Sequence, residues 1–215
     1  MKKLFLLAVI AISVTFTANA QKLGFGVELG GNLSNIYGET TILGNTAKET
    51  SDFKLGYQVG AFVDYSITEN LFAKAHLLFF TKGGKDVVEL GSMKTTTSSN
   101  PMYISLPVVV GFGFDLGGIK PFVNAGVYAA YAIGGKTTTN VKGSPLGVAD
   151  GETSKDFFND NTDKFDFGAR FGAGLEFNQK FIVELNYDLG LLDYASSDNA
   201  VMKNNALSLT LGYKF

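Results

Sequence analysis

Cysteine and tryptophan are missing from the 215 residues, histidine occurs once and proline four times. Without cysteine there is no disulfide framework, no thiolate zinc site and no cysteine nucleophile. A formal net charge of −2 is too balanced to suggest a nucleic-acid partner. Beyond the first twenty residues no stretch offers ~20 uninterrupted apolar side chains, which excludes a transmembrane helix. Any membrane crossing must then be made of strands, the other architecture that satisfies every backbone polar group in hydrocarbon. What the chain has in plenty is 26 glycines and 19 phenylalanines. Glycine at this level, with no collagen-like period, points to tight turns and close backbone approach rather than to helices.

Residues 1–20 have the layout of a targeting segment. Met1-Lys2-Lys3 is a short basic start, Leu4 to Phe16 an apolar stretch, and Ala18-Asn19-Ala20 a small-residue cleavage site. The expected mature protein begins at Gln21, and a glutamine there argues against a lipid anchor. Losing Lys2 and Lys3 leaves 16 Lys and Arg against 20 Asp and Glu, a formal charge of −4. The protein is expected to leave the cytoplasm.

Apolar residues then recur with period 2. In the last ten residues Leu207, Leu209, Leu211, Tyr213 and Phe215 share one phase, against Ala206, Ser208, Thr210, Gly212 and Lys214. A closing strand that ends on an aromatic reads as an insertion signal carried by Tyr213 and Phe215. The clearest strand sets Phe53, Leu55, Tyr57, Val59, Ala61, Val63, Tyr65 and Ile67 against a small and polar phase. That is long for a globular strand, where about five or six residues are usual, and ample for a tilted membrane strand of roughly 9–11. Eight such stretches follow one another. Short turns are expected at about 68–70, 115–118 and 178–180, and long polar loops at about 36–52, 83–101, 134–164 and 193–204. Short turns on one rim and long loops on the other is the pattern of outer-membrane barrels, with both termini on the periplasmic side.

Aromatics of the apolar phase gather toward strand ends. Phe25, Tyr65, Phe114, Phe177, Phe181, Tyr213 and Phe215 form one candidate girdle. Phe53, Tyr57, Phe79, Tyr131, Phe165 and Phe167 form the other. A soluble sandwich has no reason to carry two such belts. A soluble barrel holding an apolar ligand is the inverted alternative, with this phase facing inward.

Eight strands leave an interior that side chains can fill, so an open pore is not the default. Inward glycines make room for Phe62, Tyr103, Phe122, Tyr128 and Arg170. Inward charges must be paired, because an unpaired buried charge is costly. The expected lumen network is Glu28, Asp64, Lys74, His76, Arg170, Glu184 and Asp188. If Ile67 opposes Leu71, Asp64 lies opposite Lys74; if Phe177 opposes Phe181, Arg170 lies opposite Asp188. Opposite charges facing across strands on one surface support each other. Glu176, Lys54 and Lys120 share the inward phase.

Catalysis at His76 would need a nucleophile or carboxylate within hydrogen-bond reach. No serine lies near it in sequence, and a structural lumen histidine is the simpler reading. Asp150, Glu152, Asp156, Asp160 and Asp163 make one loop acidic, but their spacing matches no calcium loop and reads as solvated surface. Gly24-Phe25-Gly26 is strand glycine, since no helix follows to cradle a phosphate. No cofactor and no metal are expected.

The fourth strand carries Tyr103-Ile-Ser-Leu-Pro107-Val-Val-Val, an aromatic–hydrophobic–polar–hydrophobic–Pro signature. With it go Val123-Asn-Ala-Gly126-Val-Tyr, Phe165-Asp-Phe-Gly168, Phe171-Gly-Ala-Gly174, Asn186-Tyr-Asp-Leu-Gly190-Leu and Tyr213-Lys-Phe215. In order and spacing these resemble the small outer-membrane β-barrel proteins of Bacteroidetes, the porin-like or PorT type. Ser105 departs from the acidic residue usual there. The resemblance implies an all-β, eight-stranded antiparallel up-and-down transmembrane barrel, OmpA/OmpX-like in size, in the outer membrane of a Gram-negative bacterium. The expected function is non-enzymatic: a structural or surface-interaction component working through its loops. A narrow channel for small solutes or ions and a lipid-modifying enzyme are the alternatives. Expected partners are membrane lipids, the outer-membrane barrel assembly machinery, and an extracellular ligand or envelope partner met through the loops.

Overall fold

The computed structural model describes residues 23–42, 45–143, 151–157, 164–193 and 200–215. The expected signal peptide and Asp150, Asp160 and Asp163 lie outside the described residues. Eight strands close a ring: β1 (Leu23–Ile42), β3 (Lys54–Ser66), β4 (Leu71–Thr81), β6 (Met93–Gly113), β7 (Ile119–Lys142), β9 (Phe165–Phe177), β10 (Phe181–Gly190) and β11 (Ala200–Lys214). All neighbours are antiparallel, β6 pairs with β7, and β1 pairs with β11 to shut the ring. The short strands β2 (Asn45–Thr50), β5 (Lys85–Leu90) and β8 (Gly151–Asp156) add to β1, β6 and β7 at the long-strand end.

The phase expected to meet lipid does face outward. Phe53, Leu55 and Leu29 are 65%, 76% and 62% exposed, while Arg170, Tyr128 and Leu78 in the other phase are 1% or less. The inverted, soluble barrel is thereby overturned. At the periplasmic rim Phe181, Tyr213 and Phe215 stack in edge-to-face succession, with centroids 5.3 and 5.6 Å apart. Toward the other rim Tyr57 and Phe79 lie 6.0 Å apart.

The segments expected as loops at 36–52, 83–101 and 134–164 carry strand over much of their length. Polarity suggested loop, but threonine and valine are β-branched and sit well on a pleated surface even when wet. Thr95–Thr97 pair with Thr139–Val141 and with Val87 and Val88 across an extended sheet. At ~3.3 Å per residue, the 24 residues of β7 run for about 80 Å, far beyond a ~30 Å hydrocarbon layer even when tilted. The surplus stands outside the membrane as a four-stranded platform of β5, β6, β7 and β8. Within it Lys94 donates to Glu89 at 2.7 Å and holds that carboxyl below its usual range.

Pro107 costs the β6 ladder a donor, and the pairing with β4 is interrupted there. Registered pairs run from Leu78–Ser105 to Ala75–Val108, skipping the two positions between. The turn between β9 and β10 places Asn178 and Gln179 at φ of 50° and 59°, with Lys180 N–H on Phe177 C=O at 3.0 Å. Both residues lie in the left-handed region, for which Asn-Gly is the preferred pair, within a three-residue loop that sets Phe177 opposite Phe181. Replacing Gln179 with Gly is expected to stabilise the barrel by about 1 kcal/mol, by removing a left-handed side-chain penalty. The urea midpoint of the refolded protein is the check.

Candidate functional site

The interior is stacked in layers from the periplasmic mouth outward. At the mouth Lys214 donates to Glu176 at 2.9 Å and lies 3.8 Å from Asp64, while Lys120 donates to the Glu69 carbonyl at 3.2 Å. A vestibule of about 590 Å³ opens here to the periplasm. Above it only about 20 Å³ remains, bounded by Phe72, Lys74 and Phe122.

An apolar plug of Phe62, Phe72, Phe122 and Ile182 fills the next layer. Phe72 and Phe122 meet edge-on at 5.6 Å. Three inward glycines are the sockets for these rings: a Cβ would stand 2.2 Å from Phe62 at Gly26, 2.2 Å from Phe72 at Gly111, and 2.6 Å from Phe122 at Gly174. Lys74 caps the plug, its ammonium 5.3, 5.5 and 5.0 Å from the rings of Phe62, Phe72 and Phe122. Desolvated cations over aromatic faces gain strongly.

The middle layer is ionic. Arg170 grips Asp188 through two parallel bonds, Nε–Oδ1 at 2.6 Å and Nη2–Oδ2 at 2.8 Å. Such a fork is the strong form of ion pair. Lys74 reaches Glu184 at 3.4 Å, whose other oxygen accepts from Asn124 at 2.7 Å. His76 Nδ1 lies 2.6 Å from Glu28 Oε1. The uppermost layer joins Lys82 to Asp166 at 2.9 Å, with Lys82 4.3 Å above the ring centre of Tyr128, and Phe80 and Tyr103 beside it.

Both cross-strand registers run as expected, Asp64 opposite Lys74 and Arg170 opposite Asp188. Only the second becomes a side-chain pair. Lys74 bends across the bore to Glu184, and Asp64 turns to Lys214 at the mouth. A backbone register puts two Cα atoms side by side; long side chains in a narrow bore then choose the nearest partner across it. Lys82 and Asp166 escaped sequence reasoning because Lys82 precedes Gly83-Gly84 and read as the start of a loop. The signal was there in phase: Lys82 continues the inward row of Lys74, His76, Leu78 and Phe80. Among the described residues no group of three or more His, Cys, Asp or Glu could hold a metal ion.

The family model described as the outer membrane protein beta-barrel domain matches residues 19–196. The chain belongs to this outer-membrane β-barrel family. It is an integral barrel of the bacterial outer membrane, built as eight antiparallel strands in a ring. Among solved structures it is similar to Ail, the attachment invasion locus protein of Yersinia pestis, at 15% identity over 90% of this chain and 99% of that one, TM-score 0.43. It is also similar to Neisserial surface protein A, at 12% identity over 89% and 97%, TM-score 0.38. A third is the outer membrane enzyme PagL, at 17% identity over 86% and 98%, TM-score 0.34. No curated protein matches the chain.

Proposed function

We propose that this barrel is a non-enzymatic, non-conducting component of the outer membrane that works through the platform its strands build outside the bilayer. The observation that carries this is the filled bore. Arg170, Tyr103, Tyr128, Phe80, Leu78 and His76 are all buried to 2% exposure or less. Two aromatic layers with an ion-paired layer between them leave no wide aqueous route, and the vestibule ends at the lower plug. His76 is enclosed and committed to Glu28, so a substrate has no approach to it.

The paired lumen charges Glu28, Asp64, Lys74, His76, Arg170, Glu184 and Asp188 then have a structural role, locking the interior instead of serving a permeant ion. Phe215, exposed at the periplasmic rim, and the half-buried Tyr213 beside it suit recognition by the barrel assembly machinery. The likeness to the Bacteroidetes porin-like or PorT type rests on the order and spacing of the Tyr103–Val110 signature and the five motifs that go with it.

Planar-bilayer recording of folded protein, shown to be closed by a mobility shift on boiling in SDS, tests this reading. No steady single-channel conductance is expected; reproducible steps from the wild type would replace it with the channel. Removal of residues 85–98, the β5 side of the platform, should leave the boiling shift intact, because the eight ring strands keep their pairing below it.

A further inference from the structure

The seam of the ring lies between β1 and β11, and its last registered pair on the periplasmic side is Gly26 opposite Lys214. From there the Lys214 ammonium reaches the strand beyond each of its two neighbours. It lies 2.9 Å from Glu176 on β9, past β10, and 3.8 Å from Asp64 on β3, past β1. Gly24 on β1 leaves the path clear, since a Cβ at that position would stand 2.9 Å from the lysine Cδ.

Each of these carboxylates faces another lysine in register. Asp64 lies directly opposite Lys74, and Glu176 directly opposite Lys120. Yet Lys74 reaches Glu184 at 3.4 Å, and Lys120 donates to the Glu69 carbonyl at 3.2 Å. Of the other charged groups at this mouth, Asp115 accepts from the Gly117 and Gly118 N–H groups at 2.8 and 2.9 Å, and Glu69 and Lys180 are exposed. The buried Asp64 and Glu176 therefore share one cation, and β11 brings it.

We propose that Lys214 is a latch on the β1–β11 seam, made only once the ring has closed and slowing its reopening. Asp64 stands on the β1 side of the seam, Glu176 and Lys214 on the β11 side, so the tie to Asp64 cannot form while the seam is open. Strand ends open first, and the latch sits at such an end. An opening that spread from it would leave two unpaired strand edges in hydrocarbon. A contact between residues far apart in sequence, made after the neighbouring strands have paired, acts on the unfolding rate and leaves the folding rate alone.

Kinetics in detergent micelles test it, with the fast-migrating unboiled band followed as it appears on refolding and disappears in concentrated urea. Lys214→Met should unfold about fivefold faster than the wild type and refold at the same rate. Lys214→Arg, which keeps the charge, should unfold as slowly as the wild type. Glu176→Gln should also speed unfolding, and Lys214→Met/Glu176→Gln should unfold no faster than Lys214→Met alone, because both remove the same tie. An unchanged unfolding rate in Lys214→Met, a slowed refolding, or a double variant whose acceleration is the product of the two single ones overturns the proposal. Should Lys214→Met fail to fold, Asp64→Asn and Glu176→Gln decide, since they leave β11 untouched: each must speed unfolding with refolding unchanged.

Discussion

Arg170→Met will cost the barrel about 3–5 kcal/mol of unfolding free energy, the usual consequence of leaving one partner of a buried ion pair uncompensated. Asp188 lies on the inner wall at 1% exposure and receives both arms of the guanidinium fork. Without it the carboxylate has no cation within bonding distance on its own level; Lys82 is committed to Asp166 and Lys74 to Glu184. Asp188→Leu should be as harmful for the mirror-image reason. The double variant Arg170→Met/Asp188→Leu should recover most of the loss, since an apolar pair of similar volume removes both desolvation costs. Urea titration of protein refolded into detergent micelles measures all three. Equal damage from the double variant would mean that the pair acts through packing, and the electrostatic account of the middle layer would fall.

The contrast between what could and could not be read from the sequence follows the same line. Strand phase was legible because the bilayer makes one face apolar and the bore makes the other small, polar or paired, so period 2 survives in every ring strand. Register was legible at the tight turns: fixing Phe177 opposite Phe181 leaves Arg170 no place but opposite Asp188. Beyond the membrane that constraint vanishes. Thr95 to Ser99 and Thr137 to Val141 pair as strands with water on their faces, so no apolar alternation marks them, and only their β-branched composition could have. Side-chain partners across the bore were also out of reach, as the turn of Lys74 from Asp64 to Glu184 illustrates. Sequence spacing fixes which residues share a level on neighbouring strands, whereas contact across the lumen depends on the tilt and stagger of the whole ring.

Phe122→Ala is expected to be as damaging to stability as the broken ion pair, and still not to open a channel. The phenyl ring fills the socket over Gly174, meets Phe72 edge-on at 5.6 Å and presents its face to Lys74 at 5.0 Å. Truncating a buried phenylalanine costs about 3–5 kcal/mol from lost transfer and the cavity left behind. Lys74 also loses one of its three aromatic faces. The vestibule would then extend upward to the ionic layer and stop, because Arg170, Tyr128, Tyr103 and Phe80 close the bore independently above it. Conductance should therefore remain absent in Phe122→Ala and in Phe80→Ala/Tyr128→Ala, and arise only when both sets are combined in one protein. Bilayer recordings on the three variants, each first shown to shift on boiling, separate two closures in series from a single gate. Steady current through Phe122→Ala alone would place the whole barrier at the lower plug and strip the upper layer of any sealing role.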